Sequence, residues 1–249
     1  MAEGFEALSE AWNRHAEAWA RWTRVPGHDV FHELLNWPAF RALVPPAGRR
    51  TLDLGCGEGR AGRQLSAGGH RVAGIDSSPT LVGLAREEGG YDELVCGDAT
   101  ELPWKAGTFD LAVAFMSLHD MDDMPAAVEE IARVLEPGGR LCLAIVHPLN
   151  RPPEALEDYF TPRRFVEDVE RDGLLMTFEG IDRPLESYPR ALAGAGLLIE
   201  ELREPRPTAA ALAAAPRLRK AAERPYFLHL RCVLAAGHRL RPKPEARRC

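Results

Sequence analysis

The sequence predicts a doubly wound α/β fold on a mostly parallel seven-stranded sheet. Three observations predict it. Short apolar runs alternate with helix-length segments from Thr51 to Pro148. Two of the runs, LAVAF and LCLAIV, are apolar at nearly every position, as strands covered on both faces are. The first run ends in LDLGCGEGR, residues 52–60, where an acid is followed by glycines at every second position. Strand and helix alternating over this length form a parallel sheet with helices on both sides.

The elements follow in order. GFEALSEAWNRHAEAWARW reads as an amphipathic helix, with Phe5, Leu8, Trp12, Ala16 and Trp19 at helical spacing. A proline-marked stretch follows (Pro26, Pro38, Pro45, Pro46), so residues 1–48 are expected to form an N-terminal helical lid on a domain of residues 49–249. TLDLG is the first strand, Arg60–Ala67 a short helix, and HRVAGID the second strand. Pro79–Glu88 is a helix, with Ser78 placed to cap it. DELVCGD and FDLAVAFMSL are the third and fourth strands. Pro125–Leu135 is a helix closed by the PGG at 137–139, and RLCLAIVHP is the fifth strand. Residues 149–185 break the rhythm with proline and charge and read as an inserted loop or cap. The remainder reads as a helix at Leu185–Ala195, a strand LLIEELRE, a helix interrupted at Pro216, and a last strand PYFLHLRCVLAA.

Composition excludes several classes. The 249 residues are 45% hydrophobic and 27% charged, ordinary for a globular protein with a sizeable core. No apolar run is long enough for a bilayer, and the acidic, periodic N-terminus is not a signal peptide. The five cysteines are scattered without a C-x-x-C pair, which argues against disulfides or a metal site and for a reducing cytoplasm. Cys96 and Cys142 sit in apolar runs and read as small core residues. The net charge of −6 argues against a nucleic-acid partner. Ten basic residues from Pro216 onward face only two acids, but no aromatics interleave the tail, so residues 238–249 read as a solvated basic tail.

Ligands of such a sheet bind at the carboxyl ends of the strands. Gly55, Gly57 and Gly59 are expected to clear side chains there, and the following helix offers free N–H groups. A dinucleotide pattern, G-x-G-x-x-G, exists only if read late as Gly57, Gly59 and Gly62. That reading buries Gly62 inside the helix and leaves the turn unexplained. The acid at the end of the second strand, Asp76, lies about 20 residues past the first glycine, where a carboxylate can hold a ribose diol.

Read as L-D-x-G-x-G-x-G, the stretch resembles the S-adenosyl-L-methionine (SAM) motif of class I SAM-dependent methyltransferases, of the small-molecule, methyltransferase-domain-11 type. HRVAGIDSS, CGDATELPW, FDLAVAFMSLHDM and IARVLEPGGRLCLAIVHP resemble that family's successive motifs, in order, over residues 51–148. The resemblance implies a Rossmann-like fold, SAM as cofactor and S-adenosyl-L-homocysteine (SAH) as product. It puts Asp53 near the methionine amino end, Asp76 on the ribose, and Asp98 and Ala99 beside the adenine. It extends cofactor contact to Gly55, Cys56, Gly57 and Gly59, to Ser77, to Met116 and, through the N-terminal helix, to Trp19. Asp53 reads alternatively as a loop-bracing acid, and the tryptophans as glue between helix and sheet.

Methyl transfer needs alignment and exclusion of water, with a base only for a protonated acceptor. Two histidines end strands over the crevice and are candidate bases: His119, oriented by Asp120 or Asp122, and His147. Tyr159, Phe160, Phe178 and Tyr188 are candidates to line an aromatic acceptor pocket. The resemblance implies a small-molecule acceptor, such as a bacterial natural product, methylated on oxygen, nitrogen or carbon by a monomer or homodimer. The rivals are an RNA methyltransferase using the basic C-terminal segment and a SAM-fold protein that does not methylate.

Overall fold

The computed structural model describes residues 6–237. Phe5, the first residue of the expected amphipathic pattern, and the basic tail 238–249 lie outside the described residues. Seven strands form one sheet in the order β3-β2-β1-β4-β5-β9-β8: Glu93–Cys96, Val72–Asp76, Thr51–Leu54, Phe109–Phe115, Leu135–Val146, Phe227–Leu234 and Leu197–Arg203. All neighbours are parallel except at β9, which runs against both β5 and β8. Sequence order reverses between β1 and β4, which makes that pair the switch point.

The sheet is buried on both faces because its strands alternate between two apolar layers. Along β5, Leu141, Leu143 and Ile145 enter one layer while Cys142 and Ala144 enter the other. The first layer is closed by α5 (Met124–Val134) and α7 (Ser187–Gly194), through Val128, Ile131 and Leu192. The second is closed by α2 (Trp37–Arg41) and α3 (Arg60–Ala67), through Phe40 and Leu65. Each fully buried leucine contributes roughly 1.5–3 kcal/mol. On β2's flank, α4 (Pro79–Glu88) is capped by Ser78, whose hydroxyl accepts from Leu81 N at 3.1 Å.

Three sequence expectations are corrected, and the proline-marked stretch takes a defined form. The insert is not an irregular loop: after a short α6 (Pro153–Leu156) it forms a β-hairpin of β6 (Arg163–Arg171) and β7 (Leu174–Asp182). Its turn is Asp172-Gly173, with φ of +50° and +76°, a dipeptide suited to two successive left-handed residues. The PGG does not close a helix from outside the sheet, because Leu135 already pairs with Phe109 and the turn interrupts β5 with a register shift. The proline-marked stretch contains a π-helical turn, His32–Asn36, that runs into α2. Cys96 is exposed at the end of β3, an edge strand, whereas Cys142 is buried as expected.

The last helical segment splits, as expected at Pro216, into α8 (Ala209–Ala214) and α9 (Arg219–Glu223). The N-terminal helix α1 (Leu8–Arg24) crosses the switch-point end of the sheet. Asn13 Oδ1 accepts from Ser78 Oγ at 2.7 Å, and Leu8 N donates to Asp122 at 2.9 Å. His15 meets Glu179 of β7 at 3.2 Å, so the helix is tied to both the sheet and the hairpin.

Candidate active site

The crevice at the switch point holds a cavity of about 1000 Å³. Gly55, Cys56 and Gly57 supply its floor, Asp76 and Ser77 one wall, and Asp98 and Ala99 the wall beyond β3. Met116 and Ser117 close the β4 side, and Trp12 and Trp19 of α1 roof it.

The three glycines have different reasons to be glycine. All take positive φ, +66° at Gly55, +56° at Gly57 and +91° at Gly59. A side chain at Gly57 would meet nothing within 4 Å, so this residue alone of the three presents bare backbone to open space. At Gly55 a Cβ would overlap Cβ of Ser117, whose hydroxyl donates to Leu54 O at 2.6 Å. At Gly59 it would press on Arg63, Ala85 and Tyr91 at 3.0–3.1 Å. The expectation that all three clear a path for ligand is corrected: two of them clear a path for protein. Gly62 is explained in the same way, since a Cβ there would overlap the Tyr91 ring. The late dinucleotide pattern is therefore a packing coincidence.

Asp76 ties the loop together. Its Oδ2 accepts from Gly57 N at 2.8 Å and its Oδ1 from Ser78 N at 2.9 Å. Burial raises its pKa, and those two N–H groups act against the rise. Each oxygen keeps capacity for a further hydrogen bond, which suits a diol. Asp98 is exposed, and its Oδ1 accepts from Thr100 N at 2.8 Å, which fixes the turn that carries Ala99. Bare backbone at Gly57, acceptor capacity at Asp76 and the Asp98–Ala99 turn fit the nucleoside and amino-acid parts of SAM.

Asp53 lies elsewhere. It is 1% exposed, is absent from the cavity wall, and accepts from Tyr91 Oη at 2.7 Å. Burial first, and Asp76 after it, raise its pKa to about 7 against the Tyr91 hydrogen bond. The loop-bracing alternative describes this geometry, and direct contact with the methionine end does not.

A second cavity of about 1020 Å³ lies between the sheet's end and the hairpin. Trp12, Trp19, Arg60, Phe115, Met116 and Asp120 line both cavities. Met116 is held at φ +58°, uncommon for a residue with a side chain, at this shared wall. Asp120 is the one carboxylate common to both walls among the described residues. Sequence patterning had assigned it only an orienting role.

The candidate acceptor residues divide. Phe178 and Tyr188 line the second cavity, and Phe178 meets the edges of Trp19 and Trp22 at 6.0 and 6.5 Å. Tyr159 does not line either cavity; its hydroxyl accepts from Leu185 N at 2.8 Å. Phe160 is 77% exposed. Both follow α6, whose Pro153 and Glu154 line the second cavity in their place.

The two histidines also differ. His147 accepts from Leu149 N at Nδ1, 3.1 Å, and pairs with Glu204 at Nε2, 3.1 Å, so neither nitrogen is free for a substrate proton. His119 lines the second cavity with Nδ1 unpartnered and Nε2 3.6 Å from Asp120. Burial, and then the Arg183 charge, push its pKa down to about 3. Arg183, which sequence patterning missed, donates to the His119 carbonyl at 2.9 Å. Burial pushes Asp120 well above the ordinary carboxylate range, with Arg183 opposing. His119 is thus a neutral hydrogen-bonding group and a poor proton acceptor, and burial favours the protonated form of Asp120 beside it.

The linkage has a definite sign. Unfolded, His119 takes up a proton below pH 6.5; folded, it does not until about 3. Stability is therefore lost as pH falls through that window. Between pH 7 and 5 the wild type should lose about 2 kcal/mol more than His119→Gln, read by urea denaturation at each pH. Equal losses would place the imidazole in water.

No helix among the described residues is long and apolar enough to cross a membrane, and no group of three His, Cys, Asp or Glu could hold a metal.

Comparison with known proteins agrees with this geometry. A methyltransferase domain family matches residues 52–143. An uncharacterized methyltransferase of Synechocystis is 35% identical over 125 residues, 49% of this chain and 57% of that protein. A malonyl-[acyl-carrier protein] O-methyltransferase of Pectobacterium atrosepticum is 31% identical over 140 residues, 55% of each chain. The chain spans little more than half the length of these curated relatives. The crystal structure of a SAM-dependent methyltransferase from Mesorhizobium loti superposes with a TM-score of 0.63 at 26% identity, over 80% of this chain and 97% of that one. With the switch-point cradle and the matched domain together, residues 52–143 are similar to the methyltransferase domain family, and the fold is that of the SAM-dependent methyltransferases, whose cofactor SAM fits this cavity.

Proposed function

We propose that the protein methylates a small-molecule acceptor, a natural product, held in the second cavity while SAM occupies the first. The shared wall carries this reading: two cavities of comparable size meet at Trp12, Trp19, Phe115, Met116 and Asp120. When bound, SAM supplies a methyl carbon already activated by its sulfonium. The residues contribute alignment and dryness. Trp12, Trp19 and Phe115 keep water from the junction, and Phe178 and Tyr188 supply apolar faces to a ring. His119 stands on the wall beside the acceptor, and Asp120, in its ionised form at the junction of the two cavities, takes the proton from the acceptor's hydroxyl or amine.

The basic segment supports a small molecule over RNA. Of its described residues, Arg217, Lys220 and Arg224 turn to the second cavity, and Arg231 pairs with Glu200 and Glu201 at 3.1 and 3.0 Å. The cysteines of the described residues are unpaired, which supports a cytoplasmic site. The test is calorimetric titration with SAM, SAH and NAD, followed by transfer of labelled methyl from SAM to a panel of hydroxylated and amino aromatics. Asp120→Asn should lower kcat roughly a hundredfold on any acceptor found, with SAH affinity retained. Labelling of RNA instead, or undiminished turnover in the variant, would contradict the acceptor class or the base.

A further inference from the structure

The wall of the second cavity carries a group of aromatics and a group of basic residues, with Asp120, Glu167, Glu179 and Asp182 also on the wall. The aromatics include Trp19, Trp22 and Phe178; the basic group is Arg171, Arg217, Lys220 and Arg224. Arg171 ends β6, and its Nη1 donates to the His28 carbonyl while its guanidinium lies 4.9 Å over the Trp22 ring. Arg217, at the turn before α9, donates to the neighbouring Gly27 carbonyl. Two guanidiniums from distant parts of the chain thus converge on one turn. Lys220 follows Arg217 by three residues, on the same face of the helical segment.

Three acids lie near them, Asp29, Asp172 and, beside Tyr226, Glu167, and the first two are held by other groups. Asp29, in the same turn, is engaged by both terminal nitrogens of Arg60 at 3.0 Å. Asp172 is paired with His28 at 2.9 Å. Among the described residues Arg171, Arg217, Lys220 and Arg224 make no ion pair. Burial, and then Arg217's charge, lower the pKa of Arg171, as a cation beside another cation requires. Backbone carbonyls hold both guanidiniums in place without cancelling their charge. Beside them Phe31 and Tyr226 stack at 4.3 Å and line the same cavity.

We propose that this basic cluster is an anion subsite, in which Arg171, Arg217 and Lys220 hold a carboxylate or phosphate carried by the methyl acceptor. The acceptor class is then an aromatic or polycyclic compound with one anionic end, oriented with that end on these residues and its nucleophile toward Asp120. This rests on the methyltransferase reading for the word acceptor, but the subsite is defined by its own charges. It also accounts for a basic segment in an acidic chain, with recognition of one charged group replacing a general affinity for polyanions.

The test uses three probes of one shape on the full chain: 2-naphthoate, 2-naphthyl phosphate and neutral 2-naphthamide, titrated with and without SAH. One or both anions should bind roughly tenfold tighter than the amide, the difference a charge-assisted hydrogen bond makes. The tighter anion identifies the group. Arg217→Glu with Lys220→Glu, both exposed, should abolish the preference and leave SAH affinity unchanged, which also shows that the variant is folded. Equal binding of amide and anions, or a preference that survives the charge reversal, overturns the subsite. SAH binding reads out separately: its failure would sink the methyltransferase reading, while the anion-to-amide ratio still decides the subsite.

Discussion

Asp76→Ala should weaken SAH binding by about 1–3 kcal/mol, roughly 5- to 150-fold, in calorimetry at neutral pH. The carboxylate has two tasks. It receives Gly57 N and Ser78 N, and it keeps acceptor capacity facing the cavity. Alanine removes both, so the loop also loses the pull that holds Gly57 against β2. Asp76→Asn separates the tasks: the amide oxygen still accepts one backbone N–H, but the charge-assisted bonds are gone. Its affinity should fall nearly as far while its melting temperature stays nearer the wild type. An affinity unchanged in both variants would mean that the ribose is held elsewhere. Asp53→Asn is the contrast, because Asp53 faces Tyr91 and is absent from the cavity wall.

Gly55→Ala should destabilise the fold by about 2–5 kcal/mol in urea denaturation. Two costs combine. A φ of +66° strains any residue with a Cβ, and that Cβ would overlap Cβ of Ser117. Ser117 has little room to move, because its hydroxyl is bound to Leu54 O at 2.6 Å. The double variant Gly55→Ala with Ser117→Gly removes the overlap and leaves the strain, so part of the loss should return as a coupling energy. Gly57→Ala has strain of the same kind but open space beyond it, so its stability loss should be smaller and its SAH affinity should suffer more. If the two alanines behave alike, the division of labour among the glycines is wrong.

The sheet and its helices were legible because hydrophobic period and glycine punctuation act locally. Leu52 and Leu54 share a layer because strand side chains alternate, and Ser78-Pro79 starts a helix wherever it stands. The hairpin was not read from the sequence, because the charges of RRFVEDVER masked its alternation, although Asp172-Gly173 stands at its turn. Those charges are tolerable because one strand pair stands off the sheet, with β6 largely exposed.

The sequence by itself determined the parallel sheet, the glycine turn, and Asp76 and Asp98 at the ends of its strands, since each depends on a few neighbouring residues. Only the tertiary structure decided the rest of the site. It buried Asp53 against Tyr91 and Gly55 against Ser117, filled both nitrogens of His147, and left Nδ1 of His119 unpartnered. It set Asp120 at the junction of two cavities and gathered Arg171 and Arg217 on one turn. The physical reason is range: periodicity and capping are written within a turn or two of chain, whereas burial, proton affinity and charge convergence depend on contacts between residues as far as 38 to 190 positions apart, which the packed chain alone brings together.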